Sequence, residues 1–124
     1  MAKAAKPQPN NELRLAWAAG LFEGEGSIGI RQDRPHANKK LYRYLRLQLD
    51  TTDKDVLEKF FTVVGIGNLY GGASGYSTSG TIKPVWKWIV SGSKAVELIN
   101  KLAPFLGKRR NARLQEVKEE LCLQ

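Results

Sequence analysis

Apolar positions along this chain follow two periods, and the places where one gives way to the other mark its elements. Between residues 11 and 23, Leu13, Ala16 and Leu21 recur at the spacing of a helix face, with Asn10 or Asn11 placed to cap the start and Gly24 and Gly26 to end it. The period then drops to two. Residues 27–34 alternate Ile28 and Ile30 with Gly29, Arg31 and Asp33. After a polar connection over 35–40, residues 41–50 alternate Leu45, Leu47 and Leu49 with Tyr44, Arg46, Gln48 and Asp50. Strands with one apolar face belong to a sheet covered on one side only. Its other face then carries Arg31, Arg43 or Arg46, and Gln48.

Helical spacing returns over 53–64, where Val56, Leu57, Phe60 and Phe61 face inward behind a cap at Thr52 or Asp53, and Gly65-Ile66-Gly67 closes the element. A second hairpin is predicted from 68–72 and 83–91 around a Gly/Ser/Thr-rich loop. Its second strand sets Trp86, Trp88 and Val90 on one face and Lys87 on the other, with both tryptophans read as core. Ser91 or Ser93 caps a helix containing Val96, Leu98, Ile99 and Leu102. Pro104 interrupts it, and a last helix is predicted over 108–121. The order α-β-β-α-β-β-α-α, with two hairpins each followed by helix and no βαβ unit, predicts an α+β domain built on one antiparallel sheet.

Composition narrows this picture. The 124 residues suffice for one core and not two. Residues 1–10 read as a basic, proline-containing tail and residues 11–124 as a single domain. No apolar run approaches the roughly 20 residues that cross a bilayer. The first residues lack the apolar segment of a secretion signal, so an intracellular, non-secreted location is expected. Cys122 stands alone and His36 is the single histidine, which excludes an intrachain disulfide and a Cys/His zinc cluster within one chain.

Twenty Lys and Arg against twelve Asp and Glu give a formal charge of +8, which fits a polyanionic partner if the charge gathers on one face. The informative stretch is residues 18–26, AAGLFEGEG. Ala16, Gly20 and Gly24 repeat every fourth residue, leaving one helix face without bulk, against which a second helix can approach closely. Glu23 and Glu25 stand where the helix ends. The macrodipole disfavours a carboxylate there, so Glu25 calls for a compensating cation.

This nonapeptide resembles the signature of the LAGLIDADG homing endonucleases, with Glu23 and Glu25 in place of the two aspartates and Ala18 in place of the first leucine. Leu45–Leu49, the helix ending Val64-Gly65-Ile66-Gly67, the strand Val85–Val90 and the segment Ala103-Pro104-Phe105-Leu106 follow in the family's order. The resemblance implies the αββαββα fold, with a saddle-like antiparallel sheet and helices on one face. One motif per chain implies a homodimer joined along Ala16, Gly20, Glu23 and Gly24. It implies Glu25, with the Gly24 carbonyl, as ligand to Mg²⁺, for which Mn²⁺ can substitute. No small-molecule cofactor and no membrane partner are expected.

The implied reaction is hydrolysis of both strands of a long pseudo-palindromic duplex across the minor groove, leaving 3′ extensions. Where the family often carries a glutamine at the end of the second strand, this chain has Thr51, or Thr52. The basic residue near the site corresponds to Lys108 or to Arg109, depending on which neighbouring residue anchors the count. Candidate DNA contacts are Arg31, Arg34, Arg43, Arg46, Gln48, Asn68, Tyr70 and Lys87 for base edges, Lys39, Lys40, Tyr76 and Lys83 for phosphates, and Gly29 and Asp33 on the same face. The alternative from another class is a non-cleaving DNA- or RNA-binding protein on the same scaffold, an intron maturase or a regulator.

Overall fold

The computed structural model describes residues 9–33, 40–77 and 80–123, with side chains described for 11–33, 40–72 and 83–123. Its elements are α1 (Pro9–Glu25), β1 (Gly26–Asp33), β2 (Tyr42–Thr51), α2 (Lys54–Val64), β3 (Asn68–Ser77), β4 (Gly80–Ser91), α3 (Ser93–Leu102), a single 3-10 turn (Ala103–Phe105) and α4 (Lys108–Glu120). The strands form one antiparallel sheet in the order β1-β2-β4-β3. The predicted α+β order therefore holds. Among the described residues no helix is long and apolar enough to cross a membrane.

The alternation in β2 does what period two requires. Leu45, Leu47 and Leu49 are buried under the helices, while Arg46, Gln48 and Asp50 stay half-exposed on the opposite face. The core gathers Ala18, Ala19 and Phe22 from α1, Leu57 and Phe60 from α2, Leu98, Ile99 and Leu102 from α3, and Leu114 and Val117 from α4. Trp88 of β4 lies at its centre, edge-on to Phe60 with ring centroids 4.8 Å apart, and its indole N–H donates to the Ile66 carbonyl at 2.8 Å. A buried indole needs that partner.

Several expectations shift. α1 runs two residues further at each end than 11–23, so Gly24 and Glu25 are helical. The turn into β1 falls at Gly26, which already pairs with Leu49; a Cβ there would lie 2.3 Å from the Phe22 ring, so only glycine lets the strand leave this close to the helix. Leu13, counted with Ala16 and Leu21 at helical spacing, is 68% exposed. Neither Ser91 nor Ser93 caps α3. Gly92 takes that position at φ 75°, and its N–H donates to the Leu45 carbonyl, tying the helix start to β2. Trp88 is core as expected, but Trp86 is only half-buried and lies under the Lys54 ammonium. Trp17 packs in the seam between α1 and α2, with the Lys59 ammonium 4.4 Å from its ring centroid.

Candidate functional site

α1 is two-sided at its C-terminal half. Ala18, Ala19 and Phe22 are fully buried, whereas Gly20 and Gly24 are exposed and a Cβ built on either meets nothing within 4 Å. With half-buried Ala16 they form an open strip of small residues that ends beside Glu25, whose carboxylate is exposed. Among the described residues Glu25 makes no side-chain hydrogen bond or ion pair.

Glu23 is placed differently. Its Oε1 accepts the backbone N–H of Gly107 at 2.9 Å, and its carbonyl accepts from Arg110 Nε at 3.1 Å. The residue grouped with the strip by sequence is thus a clamp between the end of α1 and the start of α4. That clamp brings the first turn of α4, with exposed Lys108 and Arg109, against the acidic end of α1. Part of the positive charge that the end of α1 calls for is supplied by Arg110, which sequence reasoning missed. Nothing local signals a partner 87 positions away.

The last carbonyls of a helix lack intrahelical partners. Glu23's accepts from Arg110 Nε, and Gly24's belongs to the residue just before Glu25 in the same last turn. Carboxylate and carbonyl oxygens are hard donors and suit Mg²⁺, so the donor chemistry here fits a divalent ion. Among the described residues no three His, Cys, Asp or Glu side chains converge on one point. Thr51 shares the side of β2 that bears Leu49, opposite Trp86, and its hydroxyl accepts the N–H of Asp53 at 3.1 Å, shaping the turn into α2. Thr52 is exposed.

The uncovered sheet face is largely polar. On β1 it presents Ser27, Gly29, Arg31 and Asp33, and on β2 Tyr42, Tyr44, Arg46, Gln48 and Asp50. Lys87, Ile89 and Ser91 continue it on β4, with Asn68 and Tyr70 on β3. A shallow depression of about 130 Å³ beside Gly29 is lined by Ser27, Arg31, Arg46 and Gln48. Arg46 Nε is buried with no partner among the described residues, a desolvation cost that solubility does not require. Tyr44 donates to Asp33 Oδ2 at 2.5 Å; that bond first, then burial and the carboxylate charge, raise the phenol above its ordinary pKa.

Arg43 is a correction. It has the parity of Leu45, lies on the helix side and is ion-paired with Glu120 of α4, so the open choice between Arg43 and Arg46 falls to Arg46. Lys40, two residues before β2, and Lys83, within β4, are exposed. Arg34, Lys39 and His36 lie outside the described residues, as does the side chain of Tyr76. Asp50 is legible in the alternation as an open-face residue, but its bonds to Gln48 and Lys87 are not.

A family model described as LAGLIDADG endonuclease matches residues 18–110 of this chain. A search of curated proteins finds no match. Among solved structures, the chain is similar to the homing endonuclease I-CvuI in complex with its target, with a TM-score of 0.65 at 20% identity over 90% of this chain and 66% of that one. It is also similar to the archaeal intron-encoded homing endonuclease I-Vdi141I complexed with DNA, with a TM-score of 0.63 at 18% identity over 87% of this chain and 66% of that one. For I-GzeII in complex with its DNA target the TM-score is 0.61 at 17% identity, over 86% of this chain and 34% of that one. The chain thus spans 66% of the length of the first two and 34% of the third, and at these identities the likeness concerns the fold.

Proposed function

The chain belongs to the LAGLIDADG endonuclease family, and from that premise we propose that it is a site-specific homing endonuclease, cutting both strands of a long pseudo-palindromic DNA site as a homodimer. The observation that carries the reading is the open strip Ala16, Gly20 and Gly24, ending at an exposed carboxylate beside an uncovered sheet face that carries Arg31, Arg46 and Lys87. Two copies meeting along that strip would set two Glu25 carboxylates next to a two-fold axis and lay one sheet along each half-site.

Each residue then has a task. Glu25 and the Gly24 carbonyl would hold a divalent metal, Mg²⁺ or in its place Mn²⁺, with Glu25's extra methylene relative to aspartate reaching further from the helix end. When bound, the metal supplies Lewis-acid stabilisation of the phosphate's developing charge and an attacking water of lowered pKa. Lys108 or Arg109, carried by the clamped start of α4, places a cation near the leaving and attacking oxygens. Thr51, or Thr52, would orient the attacking water.

Arg31, Arg46, Gln48, Asn68, Tyr70 and Lys87 present donors and acceptors to base edges, with Gly29 leaving room beside Arg46 and Asp33 fixing Tyr44. Lys40 and Lys83 contact phosphates and so position the duplex without reading it. Cleavage across the minor groove leaves 3′ extensions.

The test is selection of cut sequences from a randomised duplex library with Mg²⁺, followed by Glu25→Gln on the selected site. The variant should bind with near-parental affinity and cut about a thousandfold more slowly, the equivalent of several kcal/mol of transition-state stabilisation. Equal cleavage rates for Glu25→Gln and the parent would overturn the metal assignment. A parent that binds its site yet cuts neither strand would point to the non-cleaving reading.

A further inference from the structure

Three polar side chains stand at two-residue spacing on the open face of β2, bonded to one another rather than left to solvent. Arg46 Nη2 donates to Gln48 Oε1 at 3.0 Å, and Gln48 Nε2 donates to Asp50 Oδ1 at 2.9 Å. Asp50 Oδ2 lies 4.0 Å from Nζ of Lys87, its cross-strand partner on β4. A guanidinium only donates and an ionised carboxylate only accepts. Between the two, the Gln48 amide satisfies both in a single orientation, oxygen toward Arg46 and NH₂ toward Asp50. The flipped amide would set donor against donor and acceptor against acceptor.

Each end of that amide keeps spare capacity, one N–H and one oxygen lone pair, so Gln48 offers a donor and an acceptor in fixed order along the strand. Glutamine reads adenine with such a pair, donating to N7 and accepting from N6–H in the major groove. A freely flipping amide meets that pattern in either sense, and a locked one in a single sense. Asp50 needs an account of this kind. On a face carrying Arg31, Arg46 and Lys87, an idle carboxylate would only repel a polyanion.

We infer that Asp50 is a positioning residue that sets the base preference of Gln48 by locking its amide in one orientation, with Lys87 neutralising the carboxylate. The inference rests on the reading of the open face as a DNA surface. Leu49 pairs with Gly26, the residue after Glu25, so Gln48 stands close to the acidic end of α1 and the base pair it reads lies in the inner part of each half-site.

Base preference at every position is measured by sequencing duplexes bound from a randomised library by the full chain, its Gln48→Ala, Asp50→Ala and Asp50→Asn variants. Gln48→Ala identifies the base pair concerned. Asp50→Ala should weaken preference at that same pair, and at its mirror in the other half-site, by about tenfold, while the order of preference elsewhere is kept. Asp50→Asn, whose Oδ1 still accepts, should restore most of it. In the free protein, the Gln48 side-chain amide protons should exchange faster and shift in Asp50→Ala, a readout that needs no DNA.

Preference kept at the Gln48 base pair in Asp50→Ala, or altered at a different pair instead, overturns the lock alone. A parent without base preference at any position overturns the lock together with the DNA-reading function.

Discussion

Tyr44 and Asp33 show how the open face sets the behaviour of one side chain. The phenol donates to Asp33, and the neutral form that makes the bond is favoured; Arg31 and Arg46 pull the other way without prevailing. The folded chain therefore holds this proton to higher pH than the unfolded chain, which releases it near the ordinary value of 10.0. By linkage the contribution is fully present below that pH and is lost as pH rises through the folded value. Urea midpoints taken between about pH 9 and about pH 11 should fall more steeply for the parent than for Tyr44→Phe. Identical pH slopes would contradict the assignment.

At the scale of elements, the junction of α1 with α4 uses each helix to complete the other. Gly107 begins α4 without a side-chain cap of its own, and the Glu23 carboxylate arrives from α1 to take its N–H. In return the Arg110 guanidinium meets the carbonyl of Glu23 in the last turn of α1. Negative charge at a helix start and positive charge at a helix end both oppose the macrodipole favourably. Glu23→Ala should cost about 1–2 kcal/mol by urea denaturation and speed amide exchange in the first turn of α4. Glu23→Gln, which keeps an acceptor, should lose less. Since that turn carries Lys108 and Arg109, cleavage should slow as well; an unmoved urea midpoint and unmoved exchange would show that the clamp does not hold the turn.

For the whole molecule, the proposed meeting of two chains along Ala16, Gly20 and Gly24 makes a prediction. Gly20 has open space where a side chain would go and sits inside a helix, so within one chain Gly20→Leu should stabilise by up to about 1 kcal/mol through helix propensity. Between chains it would hold the two helices apart. The expected result is a native circular dichroism spectrum with a monomer, or insoluble material, in sedimentation velocity, against the dimer expected of the parent. A native dimer of Gly20→Leu would exclude this strip as the contact.

The α+β order, the buried parity of Leu45, Leu47 and Leu49, the polar face opposite them, and the small-residue helix ending in acids are all legible along the chain. These are local patterns, and burial acts on them through periods of two and about four residues that can be counted along the chain. Arg43 needed more: its parity with Leu45 assigns it only if the strand runs unbroken to Tyr42, which the pairing of Tyr42 with Asp33 establishes. The two glycines ending α1 look alike in sequence, yet Gly24 is open while Gly26 lies against Phe22. Glu23 with Gly107 and Arg110, Arg43 with Glu120, and Gln48 held between Arg46 and Asp50 were decided by tertiary structure, because they depend on how elements dock and which way side chains turn. No local period carries that information.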